Sequence, residues 1–423
     1  MRVIEPHHLI KSKKIKPKKK LRFGLFSVLI FLVIGVYLFS IIMTSNNELR
    51  AETIGQMAIE PEKVNVEWPK DVQSAVGAVG YGVLASNGKQ DPLPIASVAK
   101  VMVALAVLKQ KPLKIGDQGE AITINQDDVD YYNRVLLNDG SNTAVVVGEE
   151  ITQYQALQAL LLPSSNNMAY TLAKWAFGSE EKYLIFANNL AKSLGMKNTN
   201  FDDASGFSSK TTSTAEDLTR LAVNAMDVPI IAEIAIQKEA VIPVAGRIFN
   251  VNRLLGRENI VGIKTGNTDQ AGGCFMAASK KKIGDQEVIA VSVVLGSTHL
   301  GEALSDSLPL INSVLDGFKS KTAIKKGQKV ANYNIPWGGV SEIVADSDVN
   351  VVYWPERPYE INTNIDKVIS RSSKLPSGTS VGNVLVRSGR SYSESKAVIT
   401  ADINPPTTSQ LVSTKLNIRN SGH

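Results

Sequence analysis

A chain of 423 residues can hold two or three separately cored domains, and 43% hydrophobic with 20% charged residues is the balance of an ordinary globular protein. The formal net charge of +6 sits at one end: residues 1–22 carry nine Lys/Arg against Glu5, which leaves the rest slightly acidic and offers no basic face to nucleic acid. Cys274 is the single cysteine, which excludes an intrachain disulfide. Four histidines, two of them in the basic segment, do not make a zinc cluster, so neither a metal nor a cofactor is expected.

Residues 1–22 read as a basic cytoplasmic tail. From Phe23 to Met43 no residue is charged, and that stretch as a helix would span about 31 Å, enough for a bilayer core. Basic residues stay on the cytoplasmic side, so 23–43 predicts a single-pass transmembrane anchor with everything after it outside the cell membrane. A cleaved signal peptide is the rival reading. Its apolar run is shorter and ends at an Ala-x-Ala-like site, which Thr44–Thr53 lacks.

Residues 44–70 are polar, with scattered Pro and Glu, and read as a linker. The Gly-rich Ala75–Ser86 predicts a hairpin. Val98–Leu108 is apolar on nearly every face, the pattern of a buried helix, with Ser97 at its start and Asp91-Pro92-Leu93-Pro94 stiffening the approach. Helical spacing also predicts Ile151–Leu162, Met168–Ala176, Lys182–Leu194 and Thr214–Met226, the last capped by Ser213-Thr214. Gly262–Thr265, Gly273–Ser279 and the β-branched Glu287–Leu295 predict consecutive strands. Helices followed by strands imply an α+β domain over 71–318 and not a strictly alternating βαβ chain. Strand-like runs at Val340–Val344, Val349–Tyr353, Val381–Val386 and Ala397–Ala401 predict a small all-β domain over 319–402. The Pro- and Thr-containing 403–423 reads as a disordered tail.

Three short strings carry chemistry. In Ser97-Val98-Ala99-Lys100 a serine and a lysine lie three residues apart on one helix face, so burial that lowers the lysine's pKa would let it take the serine's proton. The spacing alone is weak: Ser279–Lys282 and Ser393–Lys396 share it and read as surface, and Ser97 could be a mere N-cap with Lys100 reaching for solvent. Lys264-Thr265-Gly266 ends a strand-like stretch, where a cation and a hydroxyl can bind a carboxylate and a glycine keeps the strand edge open. Ser164-Ser165-Asn166 has a register rival in Ser165/Asn167, and by itself reads as a polar turn between helices. A Ser-His-Asp triad would have to use His299, which follows Gly296-Ser297-Thr298 in an expected loop.

In combination and in this order, the strings resemble those of the low-molecular-mass penicillin-binding proteins that act as serine-type D-alanyl-D-alanine carboxypeptidases. Pro94–Lys100, Leu161–Asn167, Gly195–Thr199, Ser213–Leu218 and Gly262–Gly266 are similar to landmarks of that family, and the resemblance covers about 70–318, with the β region resembling the family's C-terminal domain. It implies a β-lactamase/penicillin-binding-protein-like fold, with an antiparallel sheet, packed helices and a helical cluster. It implies Ser97 as nucleophile, Lys100 as general base, Ser164 as proton relay, and Asn166 as a hydrogen-bond partner of the substrate backbone. Lys264, Thr265 and Gly266 would receive the terminal carboxylate, and the N–H groups of Ser97 and Asn267 would form the oxyanion hole. The implied partners are the peptidoglycan stem peptide ending in D-Ala-D-Ala and β-lactams as covalent inhibitors. Asn267 stands where many relatives have His, Ala99 where many have Thr, and Leu411–Ile418 is too short and polar for the C-terminal amphipathic helix that tethers many of them. A class A β-lactamase would need a deacylating Glu-x-x-Leu-Asn, and the nearest string, Glu181–Ile185, lacks the Asn. An endopeptidase or transpeptidase of the same family, and a non-catalytic wall-binding protein or β-lactam sensor, are the alternatives.

Overall fold

The computed structural model describes residues 19–43, 48–54, 59–366, 368–369, 374–411 and 413. Most of the basic tail expected over 1–22 lies outside the described residues. Helix α1 (Lys19–Met43) covers the apolar segment and leaves Phe26, Leu29, Phe31 and Val33 exposed. Among the described residues, however, no helix is long and apolar enough to cross a membrane, and the anchor expected over 23–43 is not shown.

The central sheet has five antiparallel strands, β1 (Gln73–Ala78), β2 (Gly82–Asn87), β3 (Ile260–Thr268), β4 (Gly272–Ile283) and β5 (Gln286–Ser297), in the order β3-β4-β5-β1-β2. It is buried on both faces, and the strand period of two assigns neighbours to different cores. Ala75, Met276 and Val291 face a large helical core, while Val76, Phe275 and Ala290 face a second one. The first contains α2 (Lys100–Gln110), α4 (Gln153–Leu161), α5 (Asn166–Phe177), α6 (Glu180–Ser193), α7 (Ala215–Met226) and α8 (Pro229–Ala235). The second is closed by α9 (Leu300–Gly317). Four of these helix starts have a local cause. Thr152 caps α4 in a reciprocal pair with Gln155, Ser179 and Thr214 accept from the third N–H of α6 and α7, and Pro229 opens α8. Lys100 to Leu108 are all buried, so α2 runs through the middle of the helical core.

Three helices escape the sequence pattern, the short α8 among them. α3 (Gln126–Leu137) is mostly polar, and a capping box between Asn125 and Asp128 starts it. α9, interrupted by Pro309, is capped by His299, whose Nδ1 accepts the Glu302 N–H.

The last part of the chain supplies five strands of a six-stranded antiparallel sheet around a third core. The described parts of the segment 44–70, expected as a linker, make contacts with the folded body. Ala51–Thr53 adds an edge strand to that sheet beside Ala331–Tyr333, Leu49 is buried in its core, and Val64, Val66 and Trp68 pack on the second core. The tail expected over 403–423 also starts as structure: Ile403 is buried and bridges Leu375, and Trp337 donates to the Asn404 carbonyl at 2.9 Å. Residues 412 and 414–423 lie outside the described residues.

Candidate active site

Ser97 lies in a tight turn that the fold imposes on both sides. The short strand Leu93–Pro94 pairs with Thr212–Ser213, Ile95 N–H donates to the Thr211 carbonyl, and Ala96 is held at φ 48°. A single 3-10 turn, Ala96–Ala99, then feeds α2. Ala96, Val98 and Ala99 are buried, whereas Ser97 is only half-buried, so the turn presents one hydroxyl.

Lys100, one turn on, is completely buried, and three oxygens surround its Nζ: Ser97 Oγ at 2.8 Å, Asn166 Oδ1 at 2.7 Å and the Ser205 carbonyl at 2.9 Å. The amide and carbonyl oxygens can only accept. A neutral amine has two N–H groups and one lone pair, so satisfying both acceptors turns the lone pair onto the Ser97 hydroxyl. Burial holds the Lys100 pKa well below the ordinary lysine value, the neighbouring Lys264 charge lowers it further, and Asp203 partly offsets both. The neutral form that the geometry needs is the form the environment favours.

The side chains of the Ser164–Asn167 string have different partners. Asn166 opens α5 and reaches Lys100. Asn167 is committed to structure, accepting the Thr143 N–H at 3.0 Å and donating to the Thr143 carbonyl at 2.8 Å, and Ser165 Oγ is paired with Thr143 Oγ1. Ser164 is buried at φ 69°, and its hydroxyl has no hydrogen-bond partner among the described residues. It is thus not brought into hydrogen-bonding contact with either lysine.

Lys264 and Thr265 are buried on β3, Asn267 is exposed, and Lys264 Nζ donates to the Thr265 carbonyl at 3.1 Å. Burial lowers the Lys264 pKa to about 7. Gly266 is favoured by close contact and not by φ: a Cβ there would sit 3.1 Å from the Ile95 carbonyl and 3.2 Å from the Ser97 nitrogen. Strand β3 therefore lies directly against the nucleophile turn. Cys274, opposite Gly266 in register, is fully buried, and burial pushes its thiol up to about 11, so it is a packing residue.

Sequence reasoning missed a loop. Asp203 accepts from Ser205 Oγ (2.6 Å), Phe207 N (2.9 Å) and Thr211 Oγ1 (2.6 Å), which folds Asp202–Thr211 into a compact turn. That turn delivers the Ser205 carbonyl to Lys100 and sets Gly206 against Ala96. The cluster Asp202-Asp203-Ala204-Ser205-Gly206 was a turn signal, but nothing in it announced a backbone acceptor for the site. Beyond Asn166 a cleft of about 190 Å³ continues between this loop and α3, lined by Tyr131, Arg134, Ser205 and Phe207. His299 is spent on capping α9, and Glu181 is exposed at the start of α6, so neither stands as a rival base.

A family model described as D-alanyl-D-alanine carboxypeptidase matches residues 75–298. The D-alanyl-D-alanine endopeptidase of Escherichia coli K12 is 33% identical over 204 residues, 46% of this chain and 62% of that protein. The D-alanyl-D-alanine carboxypeptidase DacF of Bacillus subtilis is 24% identical over 341 residues, 76% of this chain and 82% of that protein. Among solved structures, the Streptomyces K15 DD-transpeptidase is similar at 25% identity and a TM-score of 0.51, covering 61% of this chain and 100% of that one.

Proposed function

The chain belongs to the D-alanyl-D-alanine carboxypeptidase family of serine peptidases, and from that premise we propose that it removes the terminal D-alanine from peptidoglycan stem pentapeptides through a Ser97 acyl-enzyme. The observation that carries the reading is the trio of oxygens around Lys100 Nζ, which leaves its lone pair for the Ser97 hydroxyl.

Ser97 Oγ attacks the carbonyl between the two D-alanines while its proton passes to Lys100. The N–H groups of Ser97 and Asn267 hold the oxyanion, a reading supported by the close approach of β3 to the nucleophile turn at Gly266. Lys264 and Thr265 receive the terminal carboxylate, which selects for a free C-terminus. The proton moves on to the leaving amine, for which the unpartnered buried Ser164 hydroxyl is a fitting relay. D-Alanine departs, and water hydrolyses the ester to regenerate Ser97. A β-lactam enters the same first step and stays attached because its leaving group remains tethered. Asn166, its Oδ1 held by Lys100, keeps its Nδ2 for the substrate backbone. The catalytic domain lies outside the cell membrane and the basic residues before Phe23 on its cytoplasmic side, a reading supported by that basic run and the uncharged stretch from Phe23 to Met43. A DD-endopeptidase is the second reading, favoured by the name of the 33%-identical E. coli relative.

The test uses the full-length protein in detergent with a pentapeptide ending in D-Ala-D-Ala. Free D-alanine should appear, stop when penicillin is added, and be absent from Ser97→Ala. Penicillin labelling of Ser97 without D-alanine release would select a cross-linked substrate, and labelling that persists in Ser97→Ala would overturn the nucleophile assignment.

A further inference from the structure

Two aspartates stand side by side in the Asp202–Thr211 loop, and the fold uses them differently. Asp202 is exposed and accepts from Ser208 Oγ at 2.7 Å. Asp203 is half-buried. Its Oδ2 accepts the Ser205 N–H (3.2 Å), the Ser205 hydroxyl (2.6 Å) and the Phe207 N–H (2.9 Å), while its Oδ1 accepts the Thr211 hydroxyl (2.6 Å). Glu180 of α6 accepts the Ala204 N–H at 2.9 Å. The two peptide groups before the Ser205 carbonyl are therefore each held by a carboxylate, and the carbonyl they aim reaches Lys100 Nζ at 2.9 Å.

Contact is half of what the Asp203 carboxylate does. Among the charges of the described residues, two act on Lys100: Lys264 of β3 lowers its pKa and Asp203 raises it. Asp203 in turn acts on Glu180 and Tyr183 of α6 and on Tyr131 of α3, and Arg134 of α3 acts on Glu180. Tyr131 is stacked on Tyr170 of α5 with ring centroids 4.2 Å apart, so α3 and α5 are fixed to each other beside this loop. A base that burial and a cation both weaken gains proton affinity from an anion, and a stronger base draws the serine's proton more readily once it is neutral.

We propose that Asp203 is a positioning residue for the general base: it holds the Ser205 carbonyl on Lys100 Nζ and sets a negative charge against the Lys264 cation at that amine. This rests on the carboxypeptidase reading above, in which Lys100 takes the Ser97 proton. Asp203→Asn separates the two roles. An amide oxygen in place of Oδ2 keeps the donors from Ser205 and Phe207, its Nδ2 can donate to Thr211, and the charge is gone.

The experiment follows acylation of the full-length protein by a fluorescent penicillin as a rate constant against pH, a quantity independent of the folded fraction. In Asp203→Asn the rising limb should move to lower pH and the plateau should fall, so the variant is faster than wild type on the acidic side and slower above it. Asp202→Asn removes an equal charge from the same loop and should leave the profile as it is. Ser205→Ala removes a contact on Oδ2 but keeps the charge, so the plateau should fall and the limb should stay. If Asp203→Asn does not fold, Asp203→Glu is read in its place: the charge is kept and the carboxylate displaced, so the plateau should fall with the limb unmoved. A limb that stays in Asp203→Asn, or that moves in Asp202→Asn, Ser205→Ala or Asp203→Glu, overturns the inference while the carboxypeptidase reading stands. A wild type that penicillin does not acylate removes both.

Discussion

Two buried lysines share the site, and their burial has opposite consequences for the reaction. Lys100 must be neutral to act as base, so the burial that lowers its pKa favours the competent form, and activity should rise as pH climbs through that pKa. Lys264 must be charged to hold a carboxylate, so binding should fall as pH rises through about 7. Because each charge acts on the other, the two limbs of a kcat/KM profile belong to the pair. Lys264→Gln separates them. It should remove the limb falling near pH 7 and lower kcat/KM for a carboxylate-bearing peptide about 10- to 100-fold. It also deletes a cation that lowers the Lys100 pKa, so the rising limb should move to higher pH. A rising limb that moves down instead would show that Lys100 is not the group titrating.

At the scale of elements, the site is where three separate pieces of backbone meet without side chains between them. Gly266 brings β3 against the nucleophile turn, and Gly206 brings the Asp202–Thr211 loop against the other side of it. Gly206 has φ +78°, and a Cβ there would fall 1.8 Å from the Ala96 carbonyl oxygen. Gly206→Ala should therefore push the turn away from Lys100 and slow acylation by a fluorescent penicillin about 100-fold, the cost of roughly an ångström of misplacement. Near-normal acylation by a folded variant would mean that the loop does not set the serine's position. The same contacts explain what was legible in the sequence. α2 and α4–α7 announce themselves by apolar spacing or caps, and the Ser97/Lys100 pair by its place at the head of an apolar run. α3 was hidden because its stability comes from a capping box and a tyrosine stack, not from an apolar stripe. The Ser205 carbonyl was hidden because any residue has one. No residue type marks a backbone acceptor, and only the folded loop shows which carbonyl reaches Lys100.

Across the whole molecule, the C-terminal sheet is joined to the catalytic part by contacts of unequal strength. Trp354, from the C-terminal part, is fully buried in the second core against Phe318, with ring centroids 5.2 Å apart, and Phe318 meets Tyr81 edge-on at 5.0 Å. Tyr81 in turn donates to the Val352 carbonyl at 2.7 Å, so apolar burial and a directed hydrogen bond act at one joint. The second joint is a turn: Arg390 N–H donates to the Gly80 carbonyl at 2.8 Å, and its guanidinium pairs with Asp227 at 2.9 Å. That pair is about half exposed on both sides, so solvent and salt screen it. If apolar burial holds the parts together, Trp354→Ala should cost about 3–5 kcal/mol, the range for emptying a large buried aromatic site. Arg390→Ala should cost less than about 1 kcal/mol and lose even that at high salt. Denaturant unfolding followed by tryptophan fluorescence and by circular dichroism measures both, and a Trp354→Ala transition that splits into two would show the sheet undocking first. Penicillin acylation per folded molecule should be unchanged in each variant, since neither residue is among those that surround Ser97. The reverse order of costs would mean that the exposed ion pair, and not the buried aromatic column, couples the two parts.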